Sequence, residues 1–378
     1  MAGIYIHIPF CKQACHYCNF HFSTSMKLKN DFLDALLKEI SLRRDYLDGE
    51  KVNTIYFGGG TPSLLSSHEL NIIMDAIHRS FDIEVGAEVT LEANPDDINV
   101  PVLTTWSKSG INRLSIGIQS FHKEDLVWMN RAHNEIQAME CIRLAQNAGF
   151  YNMSIDLIYG TPTLTDERWA SNLIAALSMN IPHLSCYALT VEPGTALESM
   201  TKKKRAHPVS GDDQARQFLQ MTEILTSRGY EHYEISNFAL PGKRSKHNSS
   251  YWSGDKYIGL GPSAHSFNGT SRQWNVANNA LYIKSLEGGS VPFEQEFLTD
   301  VQRFNEYVMT SLRTMEGTDI GLVRQKFGDE AAGVLDEGSL KFVERGWMVK
   351  EGDRIVLTEE GKLFADGIAS ELFLASVS

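Results

Sequence analysis

The sequence predicts an α/β fold in which a parallel βα barrel of six strand–helix units is followed by a small α+β domain. Three observations carry that prediction. From the first residues onward, short apolar runs alternate with amphipathic helical stretches, the rhythm of parallel strands joined by crossover helices. The rhythm fades past about residue 240 into Gly-, Asn- and Ser-rich sequence, and a different order of elements begins beyond about 290. A chain of 378 residues, 42% of them hydrophobic, is also long enough to bury one large core and still supply a second, smaller unit.

Taken in order, the strands expected are Ile4 to Ile8, Thr54 to Phe57, Ala87 to Glu92, Arg113 to Ile118, Met153 to Ile158 and His183 to Leu189. Helical periodicity places helices near Asn30 to Leu47, Ser67 to Ser80, Pro101 to Ser109, Glu135 to Ala148 and Asp166 to Met179. A helix from Asp212 to Arg228 then leads to a seventh strand-like run, Glu231 to Phe238. Three segments follow: a barrel over 1–240, a connecting segment over 241–290, and a C-terminal domain over 291–378. The last reads as a helix through Val301 to Thr314, helices near Gly321 to Phe327 and Gly338 to Arg345, and a turn-bearing Trp347 to Thr358. That order looks like a winged-helix unit.

The net charge of −12 argues against a nucleic-acid partner, since phosphate binding requires clustered, uncompensated Lys and Arg. The run Lys202 to Arg205 is the exception and reads as a solvated loop face. No apolar run reaches the ~18 residues of a membrane span, and no basic leader opens the chain, so the expected location is the cytoplasm. Peripheral contact with a membrane surface is left open.

Three of the five cysteines, Cys11, Cys15 and Cys18, fall within eight residues, closer than a disulfide framework would place them. Cys141 and Cys186 sit in apolar helix and strand patterns and read as buried packing residues. The C-x3-C-x2-C loop offers three soft thiolates, suited to an iron-sulfur cluster with one open iron, or to zinc if His16 or His21 completes the set. In a parallel barrel the loops after the strands share one face. The cysteine loop, Gly58-Gly59-Gly60-Thr61-Pro62, Glu92-Ala93-Asn94-Pro95, Gln119 and Asp156 to Pro162 should therefore converge. The glycines let backbone amides approach a ligand; Glu92 and Asp156 can accept from amines or ribose hydroxyls; Arg131 can clamp a carboxylate. Each of these charged residues could equally form a barrel salt bridge.

The segments IYIHIPFCKQACHYC, YFGGGTPS, EANP, SIGIQSF and DLIYGTP together resemble the radical S-adenosylmethionine (SAM) branch that contains coproporphyrinogen dehydrogenases and HemW-type haem chaperones. The resemblance runs along nearly the whole chain and implies a partial (β/α)6 barrel rather than a closed one. It implies that Cys11, Cys15 and Cys18 ligate a [4Fe-4S] cluster whose fourth iron is chelated by SAM. It further implies that Tyr5, Tyr17, Gly59, Gly60, Thr61, Glu92, Gln119, Arg131 and Asp156 line the cofactor pocket, with backbone at Leu189 and Thr190 near the adenosine. An electron donor would reduce the cluster, and cleavage of SAM would yield a 5′-deoxyadenosyl radical.

Within that branch, an oxygen-independent coproporphyrinogen III dehydrogenase and a haem chaperone are the competing readings. The dehydrogenases resembled carry a fourth cysteine two residues after the third, where this chain has Phe20, and an extension before the first strand, which this chain lacks. The run His247-Asn248-Ser249-Ser250-Tyr251-Trp252 resembles the H-N-x-x-Y-W haem motif of the chaperones. An exposed His247, flanked by Tyr251 and Trp252, could ligate haem iron while the rings cover the porphyrin. The expectation is therefore a haem chaperone with haem-accepting partners, respiratory proteins among them. His265 is a second candidate ligand, though it reads better as a satisfied structural histidine.

Overall fold

The computed structural model describes residues 1–205 and 210–375. Strands β1 (Ala2–Ile8), β2 (Val52–Gly59), β3 (Ile83–Ala93), β4 (Arg113–Gln119), β5 (Met153–Tyr159) and β6 (His183–Ala188) lie side by side in chain order. Every neighbouring pair among them is parallel. Side-chain caps fix the starts of several crossover helices. Ser66 and Glu69 form a reciprocal capping box on helix 67–80, as do Asn134 and Gln137 on helix 135–147.

Strand alternation divides the side chains between two environments. One set is apolar and lies beneath the helices: Ile4, Ile6, Ile8, Ile55, Phe57, Leu91, Leu114, Ile116, Ile118, Ile155 and Leu157 are all fully buried. Each contributes about 1.5–3 kcal/mol of burial. The other set is polar and faces the lumen, where Ser115 and Ser154 hydrogen-bond at 2.8 Å and Glu88 stands 3.9 Å from Arg113. A lumen lined by charge and hydroxyl rather than packed aliphatic layers has room for a ligand at its mouth.

The barrel is open, as expected of a partial one, because β1 and β6 each pair outward with later strands. The sequence reading of Glu231 to Phe238 as one strand is corrected: it is a hairpin of β7 (Glu231–Glu234) and β8 (Asn237–Ala239), with β8 antiparallel to β6. The stretch read as a connecting segment is also structured. Helix 246–253 leads to β9 (Lys256–Leu260), which adds parallel to β1, and β10 (His265–Phe267), β11 (Ser271–Asn275) and β12 (Phe293–Phe297) continue antiparallel. These strands are short and their outer faces half-polar, so apolar periodicity does not reveal them. They are fastened by Glu39, which is fully buried and accepts from Gly261 N at 2.8 Å, Asn275 Nδ2 at 2.7 Å and the Tyr282 hydroxyl at 2.6 Å.

The C-terminal unit has helices 300–312, 320–327 and 329–344 and a sheet of β13 (Thr318–Asp319), β14 (Met348–Glu351) and β15 (Arg354–Leu357) in the order β13-β15-β14. Its own core contains Phe304, Val308, Leu335, Phe342 and Ile355. It docks on the barrel through Arg313, 3.1 Å from buried Glu234. No helix among the described residues is long and apolar enough to cross a membrane.

Candidate cofactor site at the mouth of the barrel

The loops after β1 to β6 meet at a cavity of about 400 Å³. Cys11, Cys15 and Cys18, all half-buried free thiols, line it together with Tyr17, Gly59, Gly60, Thr61, Glu92, Gln119, Arg131, Asp156, Leu189 and Thr190. Tyr5, expected in the lining, lies beneath it instead, stacked on Tyr56 with ring centroids 6.1 Å apart. Cys141 and Cys186 are buried, as their apolar settings suggested.

The cysteine loop is held before any ligand arrives. Its base is fixed by the bonds from Ser23 N to Pro9 O at 2.9 Å and from Cys11 N to Ser23 O at 3.0 Å. Lys12 pairs with Asp96 at 2.9 Å and also with Asp97, tying the loop to the segment after β3. Gln13 donates to the Asn130 carbonyl at 2.9 Å, and Asn130 donates back to the Ala14 carbonyl at 2.8 Å. His16 Nδ1 bonds the Trp128 carbonyl at 2.8 Å, and His21 Nε2 bonds Asn279 Oδ1 at 2.7 Å. Neither histidine lines the cavity with the three thiols, and no group of His, Cys, Asp or Glu among the described residues is placed to hold a single metal ion, which favours a cluster held by three thiolates.

The glycines have distinct reasons to be glycine. Gly59 has φ +101°, and a Cβ there would overlap the His7 ring. A Cβ on Gly60 would stand 2.7 Å from the carbonyl oxygens of Ile8 and Phe10. Only a bare backbone lets the end of β2 pass so close to the cysteine loop. Gln119, at φ +64°, takes a left-handed turn where β4 enters the cavity wall, a strained conformation of the kind concentrated at ligand sites.

The electrostatics of the cavity are polarised. At one end Thr61 Oγ1 donates to Cys11 Sγ at 3.4 Å and Arg131 Nη1 to Cys15 Sγ at 3.3 Å, supplying donor and positive charge where thiolates would sit. Arg131 is aimed by Asn94 Oδ1 at 2.6 Å and the Gly117 carbonyl at 2.8 Å, while its buried Nε has no partner. At the other end are two carboxylates. Glu92 accepts from the Tyr56 hydroxyl at 2.8 Å and Gly59 N at 3.2 Å, and burial, reinforced by Asp156, raises its pKa from 4.5 to about 7. Burial likewise pushes Asp156 up to about 6. Two carboxylates held near neutrality without a full counter-charge form a receptive site for a cationic ligand.

The fit to the implied cofactors rests on these observations. Three free thiols share one braced loop, with hydrogen-bond donors on two of their sulfurs. The Arg131 guanidinium, whose buried Nε is unpaired, and two under-compensated carboxylates line the same cavity, matching the carboxylate, amine and sulfonium of SAM. Asn94, from the Glu92 to Pro95 segment, lines the cavity too, and so do Tyr56, Ser115, Gly117, Ser185 and Tyr187, which were not singled out from sequence. Strand alternation back from Gln119 reaches Gly117 and Ser115, since residues two apart share a face, whereas Tyr56, Ser185 and Tyr187 lie on other strands.

The haem motif sits differently from its sequence reading. His247 is buried, not exposed: Nδ1 meets Thr54 Oγ1 at 2.8 Å, Nε2 meets the Tyr251 hydroxyl at 2.8 Å, and its ring stacks on Tyr56 at 4.9 Å. Desolvation lowers its pKa to about 3. The motif lies on helix 246–253, which carries His247 into the lumen beneath the cofactor cavity, and only Asn248 of the motif reaches that cavity. Tyr251 and Trp252 are half-buried, with Arg313 over the Trp252 ring at 5.4 Å.

Comparison with known proteins accords with this construction. Residues 5–173 match the Radical SAM superfamily, and residues 298–364 match the HemN C-terminal domain. Superfamily membership implies a [4Fe-4S] cluster and SAM. The structure of coproporphyrinogen III oxidase (HemN) from Escherichia coli, a radical SAM enzyme, superposes with a TM-score of 0.85 at 25% identity, covering 98% of this chain and 90% of that one. The haem chaperone HemW of Mycobacterium tuberculosis is 34% identical over 98% of this chain and 94% of its own length. The haem chaperones HemW of Lactococcus lactis and E. coli are 31% and 33% identical, each over 99% of this chain and 98% of their own. With relatives above 30% identity from end to end, cysteine loop and C-terminal unit included, the chain belongs to the HemW family of the radical SAM superfamily.

Proposed function

We propose that this protein is a haem chaperone, carrying a [4Fe-4S] cluster and SAM and binding haem for transfer to acceptor haemoproteins. The observation that carries this reading is the end-to-end similarity to haem chaperones named HemW from distantly related bacteria. Phe20 supports it. It stands where the dehydrogenases resembled carry a fourth cysteine, is 63% exposed, and lines the cavity mouth.

Cys11, Cys15 and Cys18 would hold the cluster, and the residues around them set its surroundings. When bound, the cluster and SAM supply one-electron reductive chemistry. Arg131 would take the SAM carboxylate, and Glu92 and Asp156 would take the cationic end. The Gly59 to Thr61 backbone would allow close approach, and the backbone at Leu189 and Thr190 would border the adenosine. Closure of the lumen floor by His247 and Tyr56 would keep bulk water out from below.

The test is anaerobic. Cluster-loaded protein with hemin should pass haem to an apo-haemoprotein such as apomyoglobin, and should not turn over coproporphyrinogen III with SAM and a strong reductant. Repeated turnover to protoporphyrinogen would replace this reading with the dehydrogenase one, which the likeness to HemN favours. Absence of both hemin binding and transfer would also refute it.

A further inference from the structure

The burial of His247 leaves open which side chain faces a haem iron, and the antiparallel extension offers one. Alternation along β10 and β11 sends Ser266 and Gln273 inward, where they accept from Arg43 Nη2 at 3.1 Å and 2.9 Å. The opposite face is left to His265, Phe267, Arg272 and Trp274. There an open hollow of about 450 Å³ is lined by Tyr257, His265, Arg272, Trp274 and Glu296. His265 stands directly opposite Trp274 in the strand register, with ring centroids 6.2 Å apart, and Phe267 stands opposite Tyr257 at 6.4 Å.

The sequence reading of His265 as a satisfied structural histidine does not hold. It is exposed, and no group among the described residues hydrogen-bonds its ring. The other exposed histidines among the described residues, His68 and His78, lie on helix 67–80 and stack on no aromatic ring among them. Partial burial, then the neighbouring Arg272, holds the His265 pKa below its usual value, so the neutral, metal-ligating imidazole predominates at neutral pH. Arg272 pairs with Glu306 at 2.5 Å through Nη2, whereas Nη1 is only loosely engaged, 3.7 Å from Glu296. That nitrogen is free to take a ligand carboxylate.

The hollow is also tied to the haem motif. Tyr257 packs edge-on against Tyr251 at 4.8 Å, and Tyr251 bonds His247. The motif thus buttresses the wall of the hollow from behind.

We propose that this face is the haem site, with His265 as the axial ligand to iron, Trp274, Tyr257 and Phe267 in apolar contact with the porphyrin, and Arg272 holding a propionate. The proposal rests on the haem-chaperone reading and locates its cargo. An imidazole that is exposed, free of protein hydrogen bonds and walled by aromatics is suited to iron ligation, and a flat sheet face is suited to a planar ring.

Hemin titrated into the full-length, cluster-loaded chain tests it, followed by Soret difference absorption and by EPR of the ferric haem. Wild type, His265→Ala, Arg272→Gln and His247→Gln are compared, with thermal midpoints reporting folding. The expected result is that His265→Ala keeps its midpoint, loses the histidine-ligated haem signature and weakens hemin binding tenfold or more. Added imidazole then restores the signature. Arg272→Gln should weaken binding severalfold without changing the spectrum. If His265→Ala retains the wild-type spectrum and affinity, this site is wrong, whether or not haem carriage stands. Loss of the signature in a folded His247→Gln alone would return the ligand to the motif. If the wild type binds no hemin, the chaperone reading itself fails.

Discussion

Glu92→Gln removes one negative charge from a cavity where that charge is poorly solvated, and its consequences for the empty and the loaded protein have opposite signs. The carboxyl titrates near 7 in the folded chain against 4.5 ordinarily. Its folded-state pKa is raised, so the apoprotein loses stability as pH rises through that interval. At pH 8 the linkage amounts to about 3 kcal/mol, at 1.36 kcal/mol per pKa unit. Glutamine escapes that cost but gives up the bond from Gly59 N, worth about 1 kcal/mol. The variant apoprotein should therefore be about 2 kcal/mol more stable than wild type at pH 8, and nearly equal to it at pH 5. Binding should move the other way. Losing a charge-assisted hydrogen bond of about 1.5–3 kcal/mol weakens SAM roughly 10- to 100-fold. Urea unfolding of the apoprotein at both pH values, and calorimetric titration of the cluster-loaded protein with SAM at pH 8, measure both. Unchanged SAM affinity, or an apoprotein destabilised at pH 8, would refute the reasoning.

Cys15→Ala should leave the fold intact but abolish the cluster absorption near about 400 nm after anaerobic reconstitution, and full iron and sulfide content would contradict the ligand assignment. Gly59→Ala, forced into a left-handed conformation against the His7 ring, should lose at least about 1–3 kcal/mol and reconstitute poorly, read by unfolding midpoint and iron content. Glu39→Ala strips the anchor from three buried donors and leaves Arg43 without its carboxylate; a loss of about 3–5 kcal/mol in urea denaturation is expected.

The six parallel strands and the convergence of their loops were legible because their apolar runs are buried and long enough to set a rhythm, as in Met153 to Tyr159. The cysteines announced themselves by spacing alone. The strands after residue 240 did not, since β10 has three residues and its alternation of exposed His265, buried Ser266 and half-buried Phe267 is too short to register as periodicity. Motif reading also misled at His247, because a hexapeptide carries no information on which way its helix faces. Here a Thr54 hydroxyl beneath the ring, nearly two hundred residues earlier in the chain, decides the matter. Tyr56 escaped notice for a similar reason, as its partnership with Glu92 exists only once two strands lie in register.

The parallel seat of β9 against β1, with Tyr5 beside Gly259, has a consequence for how the chain comes into being. β1 leaves the ribosome well before β9 and cannot complete its pairing until residues beyond 256 follow, on the order of tens of seconds later at ordinary synthesis rates. Through that interval its outer edge is a bare row of amide and carbonyl groups on an apolar strand, open to sticking to itself or to other nascent chains. A piece ending near residue 240 would keep every cluster ligand yet never cover that edge. Such a truncation is expected to be produced in aggregates, and the extension that carries the proposed haem site doubles as the seam that finishes the barrel.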